Sequence, residues 1–212
     1  MKIGIIGTGS MGKGLGFIWA QKNHEIMFGS RDPVNAEKLA SRSAANVSGG
    51  TYKDAAQFGD VIVLAVPWSA VKETIQILGD LTGKIIIDCT NAVAPHLGGL
   101  LLGHTVSAAE KIDEWAKGAK IIKAFSSLAA ENLTKLQFGS HIASTFICGN
   151  DLDAKSIVRK LGEEIGCDVV DAGPLEAARL IEPLAMLWIN LAYKQGMGTD
   201  IAFKLLRRRK AI

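Results

Sequence analysis

The chain has 212 residues, 48% of them apolar and 21% charged, a globular composition about 1.4 times the ~150-residue domain prior that excludes intrinsic disorder and collagen-like repetition. Lys and Arg number 24 against 21 Asp and Glu, a formal charge of +3. Arg207, Arg208, Arg209 and Lys210 stand together near the C-terminus, and without them 20 cations face 21 anions, a net of −1; the body is neutral, and a nucleic-acid role would rest on that one cluster alone.

Apolar runs of strand length alternate with segments of helical period. Residues 2–6 form a short strand ending at Gly7, and residues 11–22 carry a helix. A strand at 25–28, a helix at 35–42 and a short strand near Val47 follow. Residues 61–66 make a fully apolar strand, 70–78 a helix and 85–88 the next strand. A helix at 108–116 leads to a strand at 120–124, and later strands at 145–148 and 168–170 flank a helix at 152–165. Alternating strand and helix, with early strands apolar on both faces, predict an α/β fold: a Rossmann-type doubly wound, mainly parallel sheet covered by helices.

The end of the chain changes character. Between residues 183 and 193 the only strongly polar side chain is Asn190, so this helix must be buried all round, within the subunit or against a second one. Gly173 is a cap candidate, Pro174 fits a first helical turn, and Pro183 should kink or divide the segment. The division expected is a sheet domain over 1–172 and a small helical cap over 173–212, packed on the domain or on a homodimer partner.

Cys89, Cys148 and Cys167 are far apart and lie within or beside apolar runs, which reads as small buried thiols in a reducing compartment, with no metal-ligand spacing. No signal-peptide pattern opens the chain, and the uncharged stretch 90–109 is interrupted by Asn91, Pro95 and its histidines and glycines. A spanning helix is not expected there; the reading is a soluble cytoplasmic protein without a membrane partner. His24, His96, His104 and His141 are scattered, and their spacing identifies no partner for any of them. A carboxylate pair, a nucleophile elbow and a zinc pattern are all missing.

Gly7-Thr8-Gly9-Ser10-Met11-Gly12 is GxGxxG, placed after a strand and opening a helix, which is the context that gives the pattern meaning. The first glycine permits the tight turn, the second lets the backbone approach a pyrophosphate, and the third lets helix and strand pack closely. Free amides at the helix N-terminus then meet the anion. Gly14 and Gly16 read as packing glycines. An NAD site places Asp or Glu at the end of the second strand. This chain has Gly29-Ser30-Arg31 there, a hydroxyl and a guanidinium that suit a 2′-phosphate, so the cofactor is read as NADP. Asp32, next in line, would partly offset that attraction. Val66, Pro67 and Trp68 close the fourth strand, Thr90 and Asn91 the fifth, and Ser126 and Ser127 the sixth. These strand ends are the expected floor under the nicotinamide ring.

With those residues assembled, the chain resembles the NADPH-dependent reductases of the deazaflavin coenzyme F-420, nearly end to end. The resemblance is carried by GTGSMGKGL at 7–15, GSR at 29–31, VPW at 66–68, SAAEKI at 107–112, DAGPLEAARLIEPL at 171–184 and GMG at 196–198. The same domain type occurs in metalloreductases that pass a hydride from NADPH to flavin. The resemblance implies that Thr8, Ser10 and Met11 line the pyrophosphate turn, that Ser30 and Arg31 hold the 2′-phosphate, and that Val66 and Pro67 flank the nicotinamide half. It places the acceptor, F-420 or a flavin, near Asn91, Ser126 and Gly196-Met197-Gly198. Two departures fall on that side: Ser126 stands where relatives carry Asn after Lys-Ala-Phe, and Ala92 where many carry Pro after Asn.

Hydride transfer between two rings needs positioning more than acid–base groups, which agrees with the lack of a catalytic set. Imine reductases and 3-hydroxyacid dehydrogenases add a large helical domain that the roughly forty residues after Asp171 cannot supply. A non-catalytic NADP-binding module is the competing class. The small residues Ala92, Ser126, Ser127, Gly196 and Gly198 leave room for a second ring and favour an enzyme.

Overall fold

The computed structural model describes residues 1–208, so Arg209 and Lys210 of the basic cluster lie outside the described residues. β1 (Lys2–Ile6) leads through α1 (Ser10–Gln21) to β2 (Glu25–Ser30), and α2 (Pro33–Ala40) connects to β3 (Val47–Thr51). The chain then crosses back through α3 (Tyr52–Phe58) to β4 (Val61–Leu64), followed by α4 (Trp68–Ile77), β5 (Ile85–Asp88), α5 (Ala108–Trp115) and β6 (Lys120–Lys123). A hairpin of β7 (Gln137–Phe138) and β8 (His141–Ile142) precedes β9 (Ser144–Gly149), α6 (Leu152–Glu164), β10 (Asp168–Asp171) and α7 (Ala178–Ile189).

Eight strands form one sheet in the order β10-β9-β6-β5-β4-β1-β2-β3. The strands β1 to β6 pair in parallel throughout. The winding reverses between β1 and β4, and the crevice at their carboxyl ends is where a doubly wound sheet takes its ligand. β9 joins β6 antiparallel, with Ile122 opposite Gly149, and β10 runs parallel to β9. Between β6 and β9 lie only a short 3-10 turn and the hairpin. A parallel return needs a crossover helix, so β9 comes back the other way.

Alternation along each strand divides the core. Ile3, Ile5, Val61 and Val63 face α1 and α6 through Leu15, Trp19, Val158 and Leu161. Ile6, Ile62 and Leu64 face the layer of α3, α4 and α5 through Ala55, Val71, Ile75 and Ile112. Both faces are covered, which explains the apolar runs without polar alternation. Gly14 and Gly16 are packing glycines: added Cβ atoms would stand 2.7 Å from Leu133 and 2.6 Å from the Phe28 ring.

Several elements differ from the sequence reading. α3 has no apolar stripe long enough to announce it; its signal is a capping box in which Thr51 accepts from the Asp54 amide and Asp54 from the Thr51 amide. α2 begins at Pro33 because Asp32 caps it, and β4 ends at Leu64. Pro174 precedes a 3-10 turn, Leu175–Ala177, instead of lying in a first helical turn. Pro183 does not divide the C-terminal helix, which is continuous from Ala178 to Ile189 and ends in a π-turn at Asn190–Lys194. The missing proline amide leaves one carbonyl a turn earlier without its donor, and Arg179 and Glu182, both in the turn before the proline, tie that part of the helix to α5. One face of α7 is buried through Ala178, Ile181, Glu182, Ala185 and Trp188, while Leu180, 75% exposed, and Leu187, 47% exposed, stand on the other.

Candidate cofactor-binding site

The turn between β1 and α1 is built by glycines with three distinct jobs. Gly7 has φ +114°, and a Cβ there would stand 2.4 Å from the Ala65 carbonyl oxygen. A Cβ on Gly12 would stand 2.4 Å from the Gly7 carbonyl oxygen, so the helix can approach the strand only without a side chain. Gly9 has nothing within 4 Å and faces open space. It is the N-cap of α1 and offers no side-chain acceptor, so the first amides of the helix, at Ser10, Met11 and Gly12, have no intrahelical acceptor. Gly9 and Ser10 are exposed and Thr8 and Met11 half-buried. An open helix end of this kind has the geometry to receive an anion.

At the end of β2, Ser30 is half-buried and Arg31 exposed. The Ser30 hydroxyl accepts from the Asp32 amide at 3.3 Å. Asp32 is engaged by α2: one carboxylate oxygen accepts from the Val34 amide at 3.1 Å and the other from Asn35 Nδ2 at 2.9 Å. Its charge is spent on capping α2, and Arg31 makes no ion pair among the described residues.

On the far side of the crevice, Val66 is buried and Pro67 exposed as the N-cap of α4. Trp68 stacks on Trp115, ring centroids 5.6 Å apart and planes at 28°; it is a packed aromatic forming a wall and not a free lid. Asn91 and Ser126, from adjacent strand ends, are brought together: Asn91 Nδ2 donates to the Ser126 carbonyl at 2.9 Å. Asn91 Oδ1 and Ser126 Oγ are both buried and without a hydrogen-bond partner among the described residues. A left-handed Phe125, φ +60° and fully buried against Trp19, sets the turn that delivers Ser126. A bulky residue holds that conformation only when its surroundings impose it. Beside Asn91 a cleft of about 650 Å³ opens between Pro67, Trp68, His96 and Leu101. His96 and Leu97, on its rim, also have positive φ, +56° and +55°.

The Gly196-Met197-Gly198 turn closes the C-terminal helix, with both glycines left-handed and Met197 60% exposed. Its amides at Met197 and Gly198 donate to the Leu191 and Ala192 carbonyls, so these bonds do not reach Asn91 or Ser126. Its neighbour Thr199 accepts from Asn132 Nδ2, and the loop around Asn132 packs on α1 beside Gly14.

Sequence reasoning missed the group beneath the floor. Asp88, Lys123 and Glu182 are each 0% exposed. Lys123 Nζ lies 2.9 Å from Asp88 Oδ2 and 3.1 Å from Glu182 Oε1, and it also donates to the Thr90 carbonyl. Burial alone would lower the lysine pKa, but the two carboxylates outweigh it and raise the value, so Lys123 is charged. The available signal was three single charges, each inside or ending an apolar run, since a buried charge must find a partner. Near the surface, Arg179 of α7 grips Glu110 of α5 with Nε at 3.0 Å and Nη2 at 2.6 Å. That guanidinium, with Ser107 behind it, outweighs burial and holds the Glu110 carboxyl down at about 2. His24 is buried and bonds Glu164 Oε2 at 2.8 Å, a partner 140 residues away, outside the crevice. Burial pushes the Cys148 and Cys167 thiols up to about 12 and the thiol of half-buried Cys89 higher still, which favours the protonated thiol at all three. No helix among the described residues is long and apolar enough to cross a membrane.

The family described as NADP oxidoreductase, coenzyme F420-dependent, matches residues 2–92. An F420-dependent NADP reductase of Methanocaldococcus jannaschii is 34% identical over 218 residues, covering 95% of this chain and 97% of its own length. A crystal structure of an Arthrobacter sp. FB24 protein, provisionally assigned as an F420-dependent NADP reductase, superimposes with a TM-score of 0.88 at 27% identity, covering 98% of this chain and 100% of that one. The rat metalloreductase STEAP3 is 28% identical over 190 residues, covering 88% of this chain but 37% of that protein. With similarity extending over the whole chain and not only the glycine-rich turn, this chain belongs to the F420-dependent NADP reductase family.

Proposed function

We propose that the chain is an NADP-dependent oxidoreductase moving a hydride between NADP(H) and a deazaflavin of the F-420 type or a flavin. The observation that carries the cofactor reading is Arg31, exposed beside Ser30 while Asp32 is engaged in capping α2. The deazaflavin reading rests on the full-length similarity to F420-dependent NADP reductases. In this reading, amides at the α1 N-terminus, with Gly7, Thr8, Gly9, Ser10, Met11 and Gly12, receive the pyrophosphate. Ser30 and Arg31 hold the 2′-phosphate, and Val66 and Pro67 flank the nicotinamide half. The unpartnered Asn91 Oδ1 and Ser126 Oγ fit a carboxamide, whose NH₂ donates and whose carbonyl accepts. Ser126 then stands between cofactor and acceptor, with Gly196, Met197 and Gly198 on the acceptor side.

NADPH, when bound, supplies the hydride. The chain's own residues hold the ring, orient it and keep water from its buried side; no side chain is needed to move a proton at the reacting carbon. Residues 1–172 form the cofactor-binding part of this reading and 173–212 the cap. Leu180 and Leu187, seven residues apart and so on one side of α7, support a homodimer through that helix. The test is NADPH oxidation with F-420, FMN, FAD and a ferric chelate offered separately. Turnover with F-420 is expected. Turnover with FMN or FAD alone moves the assignment toward the flavin use of the metalloreductases, and none with any acceptor moves it to a binding module.

A further inference from the structure

The buried group under the nicotinamide floor does more than hold the fold together. Lys123 Nζ has three donors and three acceptors: Asp88 Oδ2, Glu182 Oε1 and the Thr90 carbonyl. Asp88 Oδ1 in turn accepts from the Thr90 amide at 2.8 Å and the Thr90 hydroxyl at 2.7 Å. Thr90 is therefore clamped at its amide, its hydroxyl and its carbonyl by one ion pair, and the next residue is Asn91, with its unpartnered Oδ1. The second carboxylate comes from α7. Glu182 accepts from the Ala108 and Ala109 amides at 2.9 and 3.1 Å, so the positive end of α5 offsets the net negative charge of the three groups. Each charge is fully enclosed, and an arrangement of this kind holds one geometry because each partner is costly to leave unpaired.

We propose that Lys123 is a positioning residue for the nicotinamide half of the cofactor: it fixes the Thr90–Asn91 turn and, through Glu182, makes that turn depend on the seating of the C-terminal helix. The inference rests on the cofactor reading above and assigns Lys123 no contact with the cofactor. It requires that loss of the lysine, or of Glu182 on a different element, harm the nicotinamide end of the crevice and spare the adenosine end, which is built by β1, α1 and β2.

The test titrates wild type, Lys123→Met and Glu182→Gln with 2′,5′-ADP, which occupies only the adenosine half, and with NADPH. Both variants are expected to bind 2′,5′-ADP within about twofold of wild type and to bind NADPH about tenfold more weakly, the worth of one or two misplaced hydrogen bonds. The rate of NADPH oxidation by F-420 at saturating NADPH should also fall. Equal losses for both ligands would show general loosening and overturn the proposal, as would unchanged NADPH binding in both variants. Should Lys123→Met not fold, Glu182→Gln, which leaves Lys123 paired with Asp88, carries the test by the same criteria. Wild type that binds neither ligand removes the cofactor reading and this inference with it, whereas sound wild-type binding with unaffected variants removes the inference alone.

Discussion

Arg31→Ala removes a guanidinium from the carboxyl end of β2 without breaking an ion pair among the described residues or uncovering core, because Arg31 is exposed and the neighbouring carboxylate is bonded to Val34 and Asn35. Folding stability should therefore stay within about 0.5 kcal/mol of wild type. A guanidinium–phosphate contact is worth about 1.5–3 kcal/mol, and in open solvent the lower end applies. The expected loss of about 1.5 kcal/mol is roughly tenfold in the Kd for NADPH. NADH has no 2′-phosphate, so its Kd should change less than about twofold. Titrating both dinucleotides by quenching of protein fluorescence, at low and high salt, reads the difference directly. The wild-type preference for NADPH should shrink as salt rises and the variant's should not. Equal losses for the two dinucleotides would refute the 2′-phosphate assignment.

Two glycines separate packing from ligand approach. Gly12→Ala should cost about 1–3 kcal/mol in thermal or denaturant unfolding, since its Cβ meets the Gly7 carbonyl oxygen at 2.4 Å, whereas Gly9→Ala should leave stability unchanged yet weaken NADPH binding, its Cβ entering open space at the helix end. Glu110 has its carboxyl depressed to about 2 from an ordinary value near 4.3. Its stabilising contribution is therefore complete above about pH 4.5 and disappears as pH falls toward 2, a loss on the order of 3 kcal/mol that should be absent in Glu110→Gln when unfolding is followed across that range. Leu187→Glu should convert a dimer to a monomer in light scattering; a monomeric wild type would end the homodimer reading.

The glycine-rich turn was legible because its spacing and strand-to-helix context are local: the positive φ at Gly7 and the close packing of Gly12 on the Gly7 carbonyl involve residues a few positions apart, although the Ala65 carbonyl that also crowds Gly7 comes from a distant strand end. The parallel core was legible for the same reason, since β4 and β5 are buried on both faces and carry no polar alternation. The reversal of β9 was not, because direction depends on the absence of a crossover helix and not on the strand's own residues. Asp88, Lys123 and Glu182 meet across separations of 35 and 59 residues, read from their positions, and no pattern in the chain names such partners. The left-handed Phe125 is invisible for a related reason: its conformation is imposed by tertiary packing against Trp19 and runs against its own preference. Asn91 and Ser126 could each be placed at a strand end from sequence, but their hydrogen bond required the register of β5 on β6.

Hydride transfer from NADPH to a deazaflavin, if direct, carries the hydrogen from one ring to the other without exchange with water. Single-turnover mixing of the protein with F-420 and NADPH, repeated with NADPH deuterated on the transferred position, tests it most directly. NADPH and F-420 absorbance should change at the same rate, the deuterated cofactor should slow both changes, and the label should appear in the reduced deazaflavin. NADPH that binds without passing label to F-420 would contradict direct transfer.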